Sequence, residues 1–410
     1  MSRIHVFTSA AGNYLPKVRV LFDSIAEHQP DWQRHLLLVE DWTDAECAAL
    51  ALALDAEICQ PRDLAIPDWR AWAFCHSMVE LCTAVKPFML RKLLALDDCD
   101  AVLYLDPDIC LFSPLVDVTA VLNEHAILLT PHQAQPETSL AGVMANELTS
   151  LRYGTYNLGF IAVASNRTGR AFADWWCHRA YRFNRDDVPN GLFTDQRWMD
   201  LVPGLFEGVH VLRQAHLNVA SWNAHQRELK RGEGDQVLAM GQPLGFYHFT
   251  GLDSGNHDAA LQYAGQSEGI EADLVQNYRE ALAERARQYS CATWSFAALS
   301  DGSAVDNAWR RAYRDDATLQ ARFPDPWQAP GVAEALNEAA ERPAQGFVSP
   351  GFSAGLGDEL DTRRLATQFV GAMKRPTQWG TIAKAVSRII GREGWRGLRR
   401  RMSRSSEEQM

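Results

Sequence analysis

The 410-residue sequence predicts an α/β protein: a mostly parallel sheet flanked by helices, with a helical extension at the C-terminal side. Three observations carry that expectation. Strand-like and helix-like stretches alternate from the start, the rhythm of parallel sheets joined by right-handed crossovers. The run Ala101-Val102-Leu103-Tyr104-Leu105 is apolar throughout, as in strands covered on both faces. It ends abruptly in Asp106-Pro107-Asp108, which places two carboxylates at the carboxyl end of a strand, where open α/β sheets bind ligands.

Composition narrows the function classes. With 47% hydrophobic and 22% charged residues the chain reads as a soluble enzyme, long enough for one large α/β domain and a smaller unit. A net charge of −11 argues against a nucleic-acid partner, which needs a basic face. The eight cysteines contain no C-x-x-C pair and read as free thiols of a reducing compartment. MSRIHVFTSA runs straight into a strand without a secretory h-region, and no apolar run reaches bilayer length. The expected location is cytoplasmic.

In chain order, Ile4 to Thr8 is the first strand and Ser9 to Asn13 a small-residue turn. A helix follows from Pro16, with Val18, Leu21, Phe22 and Ile25 on one face. His35 to Val39 is the second strand and Ala45 to Leu54 the second helix. The first turn lacks G-x-G-x-x-G and the P-loop pattern, so neither a dinucleotide fold nor an NTPase is supported. Thr8, Asn13 and Tyr14 sit where a nucleotide base or ribose is contacted, or they serve ordinary turn chemistry.

Pro67 to Trp72 reads as a tryptophan-rich loop, leading into a helical region through Leu96 in which Pro87 fits a first helical position. Lys86 is either a cation near the site or an exposed lysine. Two carboxylates aimed at one point repel unless a cation lies between them, and hard divalent ions are commonly held this way. A solvated Asp-Pro-Asp turn is the alternative. Asp108 is expected on a solvent-reachable strand end.

Ala126 to Thr130 is a further strand, and 132–150 suits a loop with a short helix that folds over a ligand. Tyr156 to Ser165 is a strand with Asn157 at its entrance and Gly159 permitting close backbone approach. A helix runs from Arg167 to about Phe183. Thr194 is the expected N-cap of the next one, which alone would explain Asp195 in its first turn. Residues 217–227 and 246–251 are short strand-like pieces. His248 is a satisfied structural histidine, or else it joins the two carboxylates in an O/O/N set suited to Mn²⁺, which accepts imidazole more readily than Mg²⁺.

The ordered set of strand–D-x-D, N-x-G-F, Asp-Gln and H-F-x-G resembles the GT-A glycosyltransferases, and among them the retaining family-8 enzymes (glycogenin and bacterial galactosyltransferases). The resemblance covers about residues 3–255. It implies a Rossmann-like GT-A sheet and a nucleotide-sugar donor, a UDP-sugar first of all. It further implies Mn²⁺ (or Mg²⁺) on Asp106, Asp108 and His248, with Gly251 closing the histidine motif. Asp195 and Gln196 match the catalytic pair beside the donor sugar, Asn157 the asparagine of the N-x-G strand, and Lys86 a basic residue at the donor. Transfer with retention to a saccharide or lipid-linked acceptor, in cell-surface polysaccharide or glycoconjugate synthesis, follows from the same resemblance. One departure stands out: a lysine common three residues after the motif glycine is Ser254 here. Other readings are a sugar-phosphate nucleotidyltransferase, for which SAAGNY is a poor triphosphate loop, and a non-catalytic carbohydrate- or partner-binding protein.

The expected organisation is a catalytic domain over 1–257, a helical appendage over 258–335, a linker over 336–373 and a basic amphipathic tail over 374–410. Between Lys374 and Arg404 the tail carries ten Lys and Arg against Glu393, with Trp379, Ile382, Val386, Ile389 and Ile390 at helical spacing. Such a tail lies on an anionic membrane surface, at the inner face for a cytoplasmic protein, or docks on the protein's own acidic body.

Overall fold

The computed structural model describes residues 3–263, 265, 268–289 and 293–341. The chain divides into two units, Met1–Gln345 and Gly346–Met410. The second unit, with the expected basic tail and most of the expected linker, lies outside the described residues.

The first strand, β1 (Ile4–Ala10), is buried along its whole length and runs two residues further than expected, because Ser9 and Ala10 are small enough to continue between packed layers. Helix α1 (Leu15–His28) starts with proline in its first turn and buries Val18, Leu21, Phe22 and Ile25, the predicted face. After β2 (Gln33–Leu38), helix α2 (Asp44–Leu54) begins at a capping box between Thr43 and Glu46. The edge strand β3 (Glu57–Cys59) was not anticipated; three residues are too few to carry a period-2 signal.

Trp69 to Phe74 forms helix α3, not a loop. Trp69 and Trp72, three residues apart, pack on Phe296 and on Phe88 and Tyr181, and this burial outweighs the weak helix preference of aromatics. Helices α4 (Met78–Ala84) and α5 (Lys86–Leu94) follow, α4 opening on a second capping box, Ser77 with Glu80. Strand β4 (Ala101–Leu105) is wholly buried, as its composition requires, and the short β5 (Ile109–Leu111) leaves the Asp-Pro-Asp corner. Helix α6 (Val116–Leu122) leads to β6 (Ile127–Pro131).

Residues 140–153 are helical as α7 (Leu140–Gly142), a π-turn (Val143–Glu147) and α8 (Leu148–Tyr153). Strand β7 (Tyr156–Ala164) and helix α9 (Arg167–Phe183) fall where predicted. A two-residue hairpin, β8 (Asp186–Asp187) with β9 (Leu192–Phe193), precedes helix α10 (Val202–Leu205) and strand β10 (Val209–Val211).

These strands build a seven-stranded sheet in the order β10-β6-β7-β4-β1-β2-β3. β1, β2, β3 and β4 pair in parallel, as do β6 and β10. β7 alone is inserted in reverse, antiparallel to both β4 and β6. The sheet is therefore mostly parallel. One face packs under α1, α2 and α6 through Val6, Leu36 and Leu103; the other carries Phe7, Leu37 and Tyr104 toward α5 and α9.

Of the predicted strand over 217–227 only β11 (Val219–Ala220) forms, and the small hairpins β12 (Leu229–Arg231), β13 (Val237–Ala239) and β14 (Gln242–Pro243) follow it. Strand β15 (Phe246–His248) then joins a second sheet in the order β11-β15-β5. This sheet positions the site: β15 runs antiparallel to β5 with His248 opposite Ile109.

Helices α11 (Asn256–Tyr263), α12 (Ile270–Ala286), α13 (Asn307–Asp315), α14 (Ala317–Arg322) and α15 (Val332–Ala340) complete the described chain. Trp294, Phe296, Tyr313 and Trp327 enter the same apolar core as Phe7 and Tyr104. Trp294 donates its indole N–H to the Val39 carbonyl, and Trp327 donates to that of Arg70.

Candidate active site

Strand ends assemble the acidic group. The Asp106 N–H donates to the Gly159 carbonyl at 2.8 Å and Ile109 N–H to the Asp106 carbonyl, so the corner is a four-residue turn with Pro107 and Asp108 at its centre. Phe249 N–H donates to the Asp108 carbonyl at 2.8 Å, which draws the end of β15 onto that corner. Asp106, Asp108 and His248 consequently offer one ligand atom each, all within 4.8 Å of one another. His248 Nε2 is 3.0 Å from Asp108 Oδ1 and 3.7 Å from Asp106 Oδ2.

The residues fit a divalent cation on independent grounds. His248 Nδ1 lies 3.2 Å from Asn157 Oδ1, which can accept its N–H and leave Nε2 for a metal, the outer-shell arrangement usual for ligating histidines. A Cβ at residue 159 would stand 2.4 Å from His248 Cε1, so the glycine anticipated for close approach makes room for this imidazole. Two carboxylates and an imidazole form a hard, mixed donor set.

Contrary to expectation, Asp108 is buried, at 8% exposure. The corner folds back beneath β15, so only Asp106 keeps partial access. Burial by itself would raise the Asp108 carboxyl, but His248 beside it brings the balance below the usual range. Burial likewise lowers His248, and Asp108 with Asp106 reverses that, leaving it raised.

Lys86, at the start of α5, forms the second half of the site. Its ammonium is buried, 3.0 Å from Asp195 Oδ2 and 3.3 Å from Asp106 Oδ1, and sits 4.2 Å from the Tyr104 ring centroid. Desolvation works against its charge, and the two carboxylates overcome it, so the lysine's pKa is raised. The exposed-lysine alternative fails. Tyr104 donates its hydroxyl to Asp106 Oδ1 at 2.5 Å, a contact the sequence analysis did not single out.

Asp195 is not explained as a helix-start residue. Thr194 has φ of 43° and donates its hydroxyl to the Asp195 carboxylate, so it is no N-cap. Asp195 stands at the N-cap of a 3₁₀ turn, caps nothing with its side chain and faces Lys86. Gln196 accepts from Leu158 N–H at 3.2 Å and donates to the Tyr153 carbonyl at 3.0 Å, tying β7 to the end of α8.

A cleft of about 740 Å³ opens over these groups; Asn13, Tyr14, Asn157 and Gln196 line it with the three ligands and Lys86. Thr8 and Gly251 do not line it, although their neighbours Ser9 and Thr250 do. Thr8 is fully buried in β1, and its hydroxyl has no hydrogen-bond partner among the described residues. Gly251 holds φ of 77°, which lets its carbonyl receive the N–H of His257.

At the departure from the expected lysine, Ser254 donates to the Gly251 carbonyl. A cation nevertheless stands by that loop. Lys17 of α1 reaches Asp253 at 2.6 Å, buried beneath Tyr14, and helps to lower the Asp108 carboxyl. Its distance in sequence from the motif loop left it without a signal.

No family model matches the chain. Two uncharacterized proteins of Bacillus subtilis (strain 168) are similar to it: YfnF, 27% identical over 180 residues, and YfnD, 24% identical over 258. These matches cover 42% and 62% of this chain, and 56% and 79% of the relatives, so the chain spans little more than half of YfnF. Among solved structures, the glycosyltransferase GlyE of Streptococcus pneumoniae TIGR4 is 13% identical with a TM-score of 0.39, over 70% of this chain and 64% of GlyE. The galactosyltransferase LgtC, in complex with donor and acceptor sugar analogs, is 16% identical with a TM-score of 0.40, over 68% of this chain and 99% of LgtC. Mouse xyloside xylosyltransferase 1 is 13% identical with a TM-score of 0.36, over 61% and 98%. The chain is thus a mixed α/β protein, distantly similar to solved glycosyltransferases, with an Asp-Asp-His group facing an open cleft.

Proposed function

We propose that the protein is a metal-dependent glycosyltransferase that moves a sugar from a nucleotide-diphosphate-sugar to a saccharide or lipid-linked acceptor, with retention of anomeric configuration. The observation that carries this reading is the convergence of Asp106, Asp108 and His248 on one point, next to the buried Lys86–Asp195 pair, in a cleft of ligand size.

In this reading Asp106, Asp108 and His248 hold Mn²⁺. The ion supplies Lewis-acid stabilisation of the departing diphosphate. The chain's own groups do the remainder. Asn157 fixes the imidazole, and Gly159 leaves it space. Lys86, kept cationic by its carboxylates, offers a fixed positive charge beside the leaving group, where electrostatic stabilisation acts without reorganisation. Asp195 and Gln196 flank the donor sugar, and their oxygens favour positive charge at the anomeric carbon. Asn13 and Tyr14, at the carboxyl end of β1, are placed for the nucleoside.

The test is a thermal-shift screen of nucleotide diphosphates and nucleotide-sugars, UDP and UDP-sugars first, with and without Mn²⁺. A ligand of the native state raises the melting temperature by mass action. A shift that requires both metal and one nucleotide is expected; no shift with any pair would sink the reading. For the basic tail we infer peripheral contact with an anionic membrane. Among the described residues no helix is long and apolar enough to cross one. Sedimentation with anionic liposomes should fall for a chain ending near residue 340, and equal sedimentation would refute the contact.

A further inference from the structure

The cleft extends past the metal group to a wall that the proposed donor does not account for. That wall is α13. Its Asn307, Arg311 and Arg314 line the cleft, and their i, i+4, i+7 spacing puts them on one face. The adjacent Arg310 fixes the helix in place. It is buried, donates to the carbonyls of His76 at 2.7 Å and Phe296 at 2.6 Å, and lies among the rings of Phe74, Trp294 and Trp327. Arg310 also borders the cleft, but with its Nη atoms committed to backbone carbonyls its main effect is to set the orientation of its neighbours.

Arg311 is exposed and makes no ion pair among the described residues. Arg314 touches only the carboxylate of its own neighbour Asp315, at 3.2 Å, among ion pairs of the described residues. The acids near this end are differently occupied. Glu80 accepts the N–H groups of Ser77 and Asp186, while Asp186 itself is exposed at the rim.

Distance separates this cationic wall from the metal group. Arg310 anchors α13 at His76, just before α4, whereas Lys86, at the start of α5, stands at Asp106, so the length of α4 lies between the two ends. A diphosphate held at Asp106 and Asp108 belongs to the α5 end of that span, and a second anionic group would serve the α13 end. Guanidinium forks suit phosphate and carboxylate oxygens in particular.

We propose that Arg311 and Arg314 form an anion subsite at the α13 end of the cleft, which receives a phosphate or carboxylate carried by the acceptor. The acceptor is then an anionic saccharide or a phosphate-linked one. This rests on the glycosyltransferase reading for the word acceptor, and on the cleft alone for the anion.

The experiment uses the full chain and two titrations by calorimetry. In the first, inorganic pyrophosphate is titrated in the presence of EDTA, so that the Asp-Asp-His group holds no metal. Wild type should bind it with strong salt dependence. Arg311→Ala/Arg314→Ala should weaken binding by about tenfold or more, the scale of a lost charge-assisted hydrogen bond, and Arg311→Lys should retain part of it. In the second, UDP is titrated with Mn²⁺, and the double variant should match wild type within about twofold. Arg311 is exposed, so the single Arg311→Ala keeps the comparison valid if the double variant unfolds. Pyrophosphate binding that ignores the arginines overturns the subsite. A parallel loss of UDP binding overturns its assignment to the acceptor. Arginine-dependent pyrophosphate binding without any UDP binding by wild type upholds the anion subsite and removes the glycosyltransferase reading instead.

Discussion

Asp108 and Asp195 are both buried carboxylates on the floor of one cleft, each beside a single cationic partner, yet they end on opposite sides of the usual carboxylate range. Burial raises both. At Asp108 the His248 imidazole at 3.0 Å, helped by Lys17, more than offsets it, and the acid is strengthened. At Asp195 the Lys86 ammonium is equally near, but burial prevails and the acid is weakened. The difference lies in sharing: Lys86 also serves Asp106, and Asp106 in turn repels Asp195. One lysine divided between two carboxylates neutralises neither fully.

The comparison assigns the halves of the site their roles. Asp106, Asp108 and Asp195 bring three carboxylates against one lysine and one imidazole. A surplus negative charge near a cleft is repaired by a bound cation, and the converging ligand atoms of Asp106, Asp108 and His248 mark where it belongs. The Lys86 half is already paired, and it suits holding a fixed charge more than binding a metal.

Removing the shared cation should have the largest effect. Lys86→Met leaves Asp195 buried without a cationic partner and should cost about 3–5 kcal/mol of stability, read by denaturant titration. Adding Asp195→Leu should recover much of that loss. If Lys86→Met is neutral by itself, the pair is not what holds this half together.

On the other half, Asp108→Asn keeps the volume and removes one ligand. It should weaken Mn²⁺ binding by more than about 100-fold, above the range for outer-shell changes, and lower the apo melting temperature, because buried His248 loses its charged partner. Unchanged Mn²⁺ affinity by calorimetry would take Asp108 out of the metal group.

Gly159→Ala probes the boundary between the halves, since the new methyl would meet the His248 ring from the strand that also carries Asn157. A loss of about 10- to 100-fold in Mn²⁺ affinity is expected, as for other changes that misorient a ligand. Wild-type affinity would mean that the imidazole is not held by that contact. The smallest effect should come from Gln196→Ala, which strands the Leu158 N–H and the Tyr153 carbonyl: about 1–3 kcal/mol, with faster amide exchange around α8. Should exchange there remain unchanged while turnover falls, Gln196 acts on the substrate and not through the backbone.

These contrasts also separate what was legible in the chain from what was not. The apolar 101–105 run had to be a central strand, because only a strand covered on both faces tolerates five apolar residues without alternation. Asp106 and Asp108 at its end, and Gly159 as a point of close approach, followed from local chemistry. So did helix α1, whose apolar face repeats at helical period. Burial, by contrast, is set by what returns from far along the chain. β15 comes back 140 residues later to cover Asp108, and no local pattern states that. Thr194 looked like a cap because a threonine before an acidic turn usually is one; in the fold its N–H bonds the Arg185 carbonyl and its hydroxyl the Asp195 carboxylate instead. Trp69 and Trp72 looked like a loop because their partners Phe296 and Tyr181 lie more than a hundred residues away.

By itself, then, the sequence determined the longer strands and helices and the residue types gathered at the carboxyl edge of the sheet, since periodicity and turn chemistry act over a few residues. Only the tertiary structure decided which carboxylate is strengthened, which lysine is buried and that α13 lends its arginines to the cleft. Charge interactions depend on distance in space and on the water excluded between groups, and neither quantity is written along the chain.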